Sequence, residues 1–302
     1  MGLSLSVGSP AAETTVPTPP SAARAEDFSA RIALFDYDVK ADLSVKTAGT
    51  ELRGNVTVDD IEFTGAPGGG AGRVKAFLVR PAGSGPFAAI LWVHWLGDPA
   101  TTNRTQFLDE AVALAREGVV SLLVDAMWSQ PRWYRNRRFE QDRADSIRQV
   151  IALRRGLDLL LAQPGVEPAR CVFVGHDYGA MHGTLLAGVE SRVPAYVLIA
   201  GTPSLLDWAF FAAKPASMEV YVGDMRALEL TDYLPQARSR SFFLQYAEKD
   251  EYVPLPKALA YFAATPEAKQ LVIYGGATHA MVEVPAIRID RDAWLRRALR
   301  LR

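Results

Sequence analysis

The chain has 302 residues, 49% of them hydrophobic and 22% charged, with a formal net charge of -1. That length and composition suit a globular protein with a sizeable core, and the near-neutral charge gives no reason to expect nucleic acid or an anionic membrane as partner. A single cysteine, Cys171, excludes an internal disulfide framework, and no apolar run approaches the ~18 residues needed to span a bilayer, so a cytoplasmic protein is expected.

Residues 1–26 are rich in Ala, Ser, Thr and Pro, with Pro17, Pro19 and Pro20 clustered. Such a stretch cannot bury enough surface to order itself, so a tail is predicted there, followed by one domain over 27–302. A secretory signal is not expected, because residues 3–7 are too short an apolar run and no basic stretch precedes them. From about residue 55 short apolar strands alternate with amphipathic helices, the pattern of a mainly parallel sheet covered on both faces. Segments 56–64 and 73–80 read as an antiparallel pair joined by a Gly-rich turn at 66–72. A strand at 88–94, a helix at 103–117, a strand at 119–125 and a longer helix at 143–163 follow. After these come a strand at 171–174 and a helix at 178–189, then strands at 195–200, 241–247 and 270–274, with helices at 255–264 and from about 290. The total is about eight strands. The stretch 202–240 has room for a helix or two over a site, but not for a large cap.

Between the strand at 171–174 and the helix at 178–189 stands Gly175-His176-Asp177-Tyr178-Gly179. A strand, a sharp turn with small residues two positions either side of its centre, and a helix make a nucleophile elbow, which presents its central side chain. Here that side chain is Asp177. G-x-D-x-G is also an ordinary turn, since Gly and Asp favour turns, and it is the flanking strand and helix that favour the elbow. A base would be needed, and of the four histidines His279 alone follows a late strand. His94 and His182 are expected to pack, and His176 to turn away from the site. A carboxylate on the other imidazole nitrogen would fix the tautomer. The turn after the strand at 241–247 offers Glu248, Asp250 and Glu251; Asp250 is preferred and Glu248 is the second choice, unless all three are a solvated turn.

With these pieces the chain resembles the alpha/beta-hydrolase superfamily, and within it the capless dienelactone hydrolase group, over roughly residues 55–302. The resemblance is carried by D-x-x-V-P at 250–254, G-A-T-H at 276–279 and H-W-L-G at 94–97, which look like that group's acid turn, histidine loop and oxyanion loop. It implies an alpha/beta-hydrolase fold and an oxyanion hole made by the backbone N–H groups of Trp95 and Tyr178. That group presents Cys or Ser at the elbow. An Asp there looks like the epoxide hydrolases and the haloalkane or haloacid dehalogenases of the same superfamily, which usually carry a cap.

An aspartate with a reference pKa of about 3.9 is ionised at neutral pH and attacks without a base. Attack on an ester would give a mixed anhydride with no advantage over its parent, whereas displacement at a saturated carbon gives a stable alkyl ester. The leading expectation is therefore a hydrolase of epoxides or halogenated substrates, in which His279 activates water against the Asp177 ester. A halide needs N–H donors, for which Trp95, Trp128 and Trp133 are candidates. An epoxide oxygen needs an acid, for which Tyr134, Tyr178 or Tyr252 would serve; plain packing is the alternative for all six. The loop 128–138 carries Arg132, Arg135, Arg137 and Arg138, and Arg132, nearest the strand end, is predicted to reach inward and select a carboxylate-bearing small molecule. Trp128, Arg132, Trp133 and Tyr134 thus form the predicted substrate-binding set. No metal or cofactor is expected, and oligomeric state stays open. Two other readings stand beside the first: an ester or lactone hydrolase with Asp177 as general base, and a non-catalytic binding protein on the same fold.

Overall fold

In the computed structural model residues 22–66 and 72–301 are described; most of the predicted tail and positions 67–71 of the Gly-rich turn lie outside them. The strands are β1 (Lys46–Arg53), β2 (Val56–Thr64), β3 (Arg73–Arg80), β4 (Phe87–Val93), β5 (Val119–Val124), β6 (Val166–His176), β7 (Ala195–Ile199), β8 (Ser241–Ala247) and β9 (Lys269–Tyr274). They form one nine-stranded sheet in the order β1-β2-β3-β5-β4-β6-β7-β8-β9. Pairing is antiparallel from β1 to β5 through β2 and β3, and parallel from β5 through β4 to β9.

The helices are α1 (Ala22–Ala33), α2 (Leu108–Ala115), α3 (Trp133–Asn136), α4 (Phe139–Leu161), α5 (Tyr178–Val189), α6 (Met218–Met225), α7 (Leu230–Tyr233), α8 (Leu255–Ala264) and α9 (Pro285–Ala298). One apolar layer joins residues of α4, α5 and α8 to one face of the sheet, including Leu157, Leu185, Phe173 and Tyr261. The other joins α2 and α9 to the opposite face, including Ala111, Trp92, Phe243 and Leu295. Covered on both sides, β4 (F-A-A-I-L-W-V) and β7 (A-Y-V-L-I) are buried at every residue, and for that reason they read as unbroken apolar runs rather than alternating ones.

The sheet has one strand more than predicted. β1, K-T-A-G-T-E-L-R, is exposed along nearly its whole length, so no buried face imposed an apolar period on it. α1 starts at Ala22, inside the predicted tail, and α4 starts at Phe139, one turn before its predicted start. α2 begins only at Leu108, after irregular chain, and α9 already at Pro285, where a proline fits the first helical turn. Residues 205–236 supply short helical turns over the sheet edge, in keeping with the absence of a large cap.

Candidate active site

β6 ends at His176, α5 begins at Tyr178, and Asp177 between them has φ 55° and ψ -115°. A non-glycine residue held there costs on the order of 1–3 kcal/mol, which the surrounding packing must offset. The flanking glycines are sterically required. A Cβ on Gly175 would lie 2.5 Å from the Gly179 carbonyl oxygen, and one on Gly179 would lie 2.6 Å from the Val93 oxygen at the end of β4.

The loops after β8 and β9 bring two further side chains to this turn. His279 Nδ1 lies 2.9 and 3.0 Å from the two Asp250 oxygens, and its Nε2 lies 3.9 Å from Asp177 Oδ2. Asp250 Oδ1 also accepts the N–H groups of Tyr252 at 2.9 Å and Val253 at 2.8 Å, which fix the carboxylate. The other acids of the turn brace the histidine loop instead: Glu248 accepts Gly276 N–H at 2.9 Å, and Glu251 accepts His279 N–H at 3.3 Å.

Asp177 and His279 have no exposed surface. The imidazole is ringed by Trp95, Trp208 and Tyr252, with centroids 5.4, 5.2 and 5.1 Å away. Trp208 comes from the short turn at 205–208, and Phe211 packs against both it and Tyr252. Burial pushes the Asp177 carboxyl up, an effect opposed by His279 and by the Leu96 and Tyr178 amides. Burial pulls His279 down, but the Asp177 and Asp250 carboxylates outweigh it and raise the group to about 9. The two neighbouring carboxyl groups thus favour the protonated form of the imidazole.

Leu96 N–H donates to Asp177 Oδ2 at 3.0 Å, whereas Trp95 N–H donates to the Gln106 side chain at 2.9 Å. The oxyanion-loop amide facing the elbow is therefore that of Leu96, one residue beyond the predicted Trp95. The cause is the Trp95 carbonyl, which accepts Trp128 Nε1–H at 3.1 Å and lies 2.8 Å from His94 Nδ1. Held from that side, the trans peptide directs its Leu96 N–H the opposite way.

The predicted substrate-binding residues are placed differently from one another. Trp128 is buried and its indole N–H is engaged with Trp95, so it is not free to hold a leaving group. The Tyr134 hydroxyl bonds the Trp208 carbonyl and accepts Phe211 N–H at 3.1 Å, so it serves the cover of the site rather than an epoxide oxygen. Arg132 is exposed, against the expectation that it reaches inward. The buried arginine of that loop is Arg137, which is 3.2 Å from Asp142, stacks over Tyr134 at 4.1 Å, and donates to the carbonyls of Tyr134 and Ala209. Trp133 packs edge-on against the Tyr178 ring. Leu96, Gly97, Trp128, Arg132, Trp133 and Tyr134 share a cavity of about 670 Å³, whose lining includes neither Asp177 nor His279.

Sequence reasoning missed Leu96, Gln106 and Trp208. Leu96 and Trp95 differ only in which way a peptide plane faces, and Gln106 and Trp208 lie in segments without a motif. Among the described residues, Asp177 Oδ1, His279 Nε2 and Trp208 Nε1 are buried and have no hydrogen-bond partner.

No family model matches the chain, and no curated protein matches it. Solved structures do. An acetyl xylan esterase from Paenibacillus sp. R4 is similar with a TM-score of 0.71 at 14% identity, over 95% of this chain and 97% of that one. Acetyl xylan esterase 1 from Thermoanaerobacterium sp. JW/SL YS485 gives 0.68 at 15% identity, over 89% and 94%. A dienelactone hydrolase-like protein from Klebsiella pneumoniae subsp. pneumoniae MGH 78578 gives 0.58 at 16%, over 82% and 99%. With the mainly parallel sheet and the strand–elbow–helix turn, these likenesses establish an alpha/beta-hydrolase fold. Identities this low speak for the fold alone.

Proposed function

We propose that the protein is a hydrolase that cleaves a small carboxylic ester or lactone, with Asp177 as general base towards water and His279 as general acid towards the leaving oxygen. The observation that carries this reading is the buried row Asp250, His279, Asp177, with separations of 2.9 and 3.9 Å. The wider gap leaves Nε2 and Oδ2 both within reach of one substrate or water oxygen lying to the side of the line between them. Burial makes Asp177 a stronger base than a free carboxylate, and the protonated His279 supplies the proton that an alkoxide needs. The Trp208 indole N–H, without a partner among the described residues, is available to the substrate oxygen. The esterase names among the similar folds favour this substrate class over the epoxide or halide first expected.

A specific observation favours a second reading, attack by Asp177 on a saturated carbon. The amides of Leu96 and Tyr178 already support the Asp177 carboxylate, with Leu96 N–H on Oδ2, leaving Oδ1 as the attacking oxygen. Alkylation would also remove the charge that raises His279, freeing it to activate water in the second step.

Mass spectrometry separates the two. The wild type is incubated in ¹⁸O-water with p-nitrophenyl acetate, a lactone, styrene oxide and a 2-haloacid, and His279→Gln with the same panel. The ester reading expects label in the product acid only and no adduct on the variant. Label in the Asp177 peptide, or a stalled adduct there from the epoxide or haloacid, overturns it in favour of the second. A wild type that turns over none of the four counts against both and favours a binding protein.

A further inference from the structure

Two polar side chains between the two halves of the site close into a chain whose polarity is set by a backbone group at each end. Trp95 N–H, which can only donate, meets Gln106 Oε1 at 2.9 Å. The Gln106 amide nitrogen must then face His176, and it lies 2.8 Å from Nδ1. Nδ1 is therefore the acceptor and the proton sits on Nε2, which lies 3.0 Å from the His279 carbonyl oxygen, a group that can only accept. Burial, and then the nearby His279, hold His176 well below the usual histidine range, so this neutral tautomer persists. The His176 ring also stacks on Trp95 at 5.5 Å with planes 15° apart, and lies 5.5 Å from the His279 ring.

We infer that Gln106 and His176 are positioning residues, a strut that sets the separation between the peptide holding Asp177 and the imidazole of His279. The inference rests on Asp177 and His279 being the working pair, whichever substrate they act on. One end of the strut fixes Trp95, whose carbonyl side carries the Leu96 N–H onto Asp177; the other end fixes the backbone from which the His279 ring hangs. Neither member of the strut touches the gap between Asp177 and His279. A displacement of about 1 Å in such a pair costs on the order of 10²-fold in rate.

The test compares Gln106→Leu, His176→Phe and the double variant. Gln106 is only half-buried, so Gln106→Leu keeps the apolar bulk and is expected to fold with an unchanged Tm. On p-nitrophenyl acetate, or on whichever panel substrate the wild type accepts, kcat should fall about 10- to 100-fold with KM within about threefold. The double variant should lose no more than the worse single one, since either cut severs the same strut. A readout independent of substrate is the His279 imidazole titration followed by ¹H–¹⁵N NMR. In Gln106→Leu its midpoint should move down by about half a pH unit or more as the pairing with Asp177 loosens. His279 is faced there by Asp177, Asp250 and His176, with Glu251 on its backbone. An unmoved titration in a folded Gln106→Leu overturns the strut whether or not esters are the substrate. Unchanged kcat does the same, and so do losses that multiply in the double variant. Absence of turnover by the wild type would count against the proposed function while the titration still decides the strut.

Discussion

His279 is the residue whose protonation governs the site, and its raised pKa has consequences for stability as well as for rate. A histidine raised from 6.5 to about 9 contributes stability that is fully present below about pH 6.5 and is lost as pH rises through about 9. The contribution is at most about 3 kcal/mol. Thermal melts of the wild type should therefore decline between pH 6.5 and 9, while His279→Gln shows a flatter profile over the same window; parallel profiles would contradict the assignment. In its proposed role of general acid, His279 should also give an ester hydrolysis rate that drops above about pH 9. Asp250→Asn should lower kcat by about 10²- to 10⁴-fold, because an amide facing Nδ1 disfavours the tautomer with its proton there. Asp177 and His279 were legible in the sequence because each is the one suitable side chain at the end of its strand, whereas Asp250 had to be chosen from the three acids of its turn. Leu96 was not, since the choice between two neighbouring amides rests on which way the Trp95 carbonyl is held, by the adjacent His94 ring and by Trp128 from a distant part of the chain.

The elements carry the site through two tight constraints, one within the sheet and one over it. α5 can start beside β4 only because position 179 has no Cβ, since one there would meet the Val93 and His94 oxygens at 2.6 and 2.8 Å. Gly179→Ala should therefore destabilise by about 2–4 kcal/mol, read as a lower urea midpoint. Over the site, the chain at 205–211 is tied down by Tyr134, which binds the Trp208 carbonyl and the Phe211 amide, and by Arg137 on the Ala209 carbonyl. His94, His176, His182 and His279 are all buried, so modification by diethylpyrocarbonate reports opening. Tyr134→Phe should speed labelling of His279 several-fold while leaving that of His182 unchanged; equal rates at both would point to general loosening. The parallel strands were readable as short unbroken apolar runs, and α5 from the glycines flanking the turn before it. β1 and the 205–211 chain were not, because an exposed edge strand needs no apolar pattern and a cover is held by contacts distant in sequence.

At the scale of the whole molecule, the first helix and the chain after it are tied to the rest of the fold. α1 sets Phe28 against Tyr233 with ring centroids 5.2 Å apart and Arg31 against Asp232 at 2.5 Å, while Arg155 donates to the carbonyls of Asp38, Ala41 and Asp42. Removing residues 1–21 should leave Tm within about 2 °C, and removing residues 1–33 should lower it by about 5 °C or more. Calorimetry of both truncations tests this, and equal values would return α1 to the status of a tail. The enclosure of Asp177 and His279 also bears on the tempo of turnover. In the proposed hydrolase, substrate reaching Asp177 and His279 must displace the rings of Trp95, Trp208 or Tyr252 packed around the imidazole, and such movements are often slower than the chemistry they shield. Friction then becomes a kinetic variable: kcat should fall in proportion to relative viscosity in sucrose, and Tyr134→Phe, with its cover less tightly held, should lose that dependence.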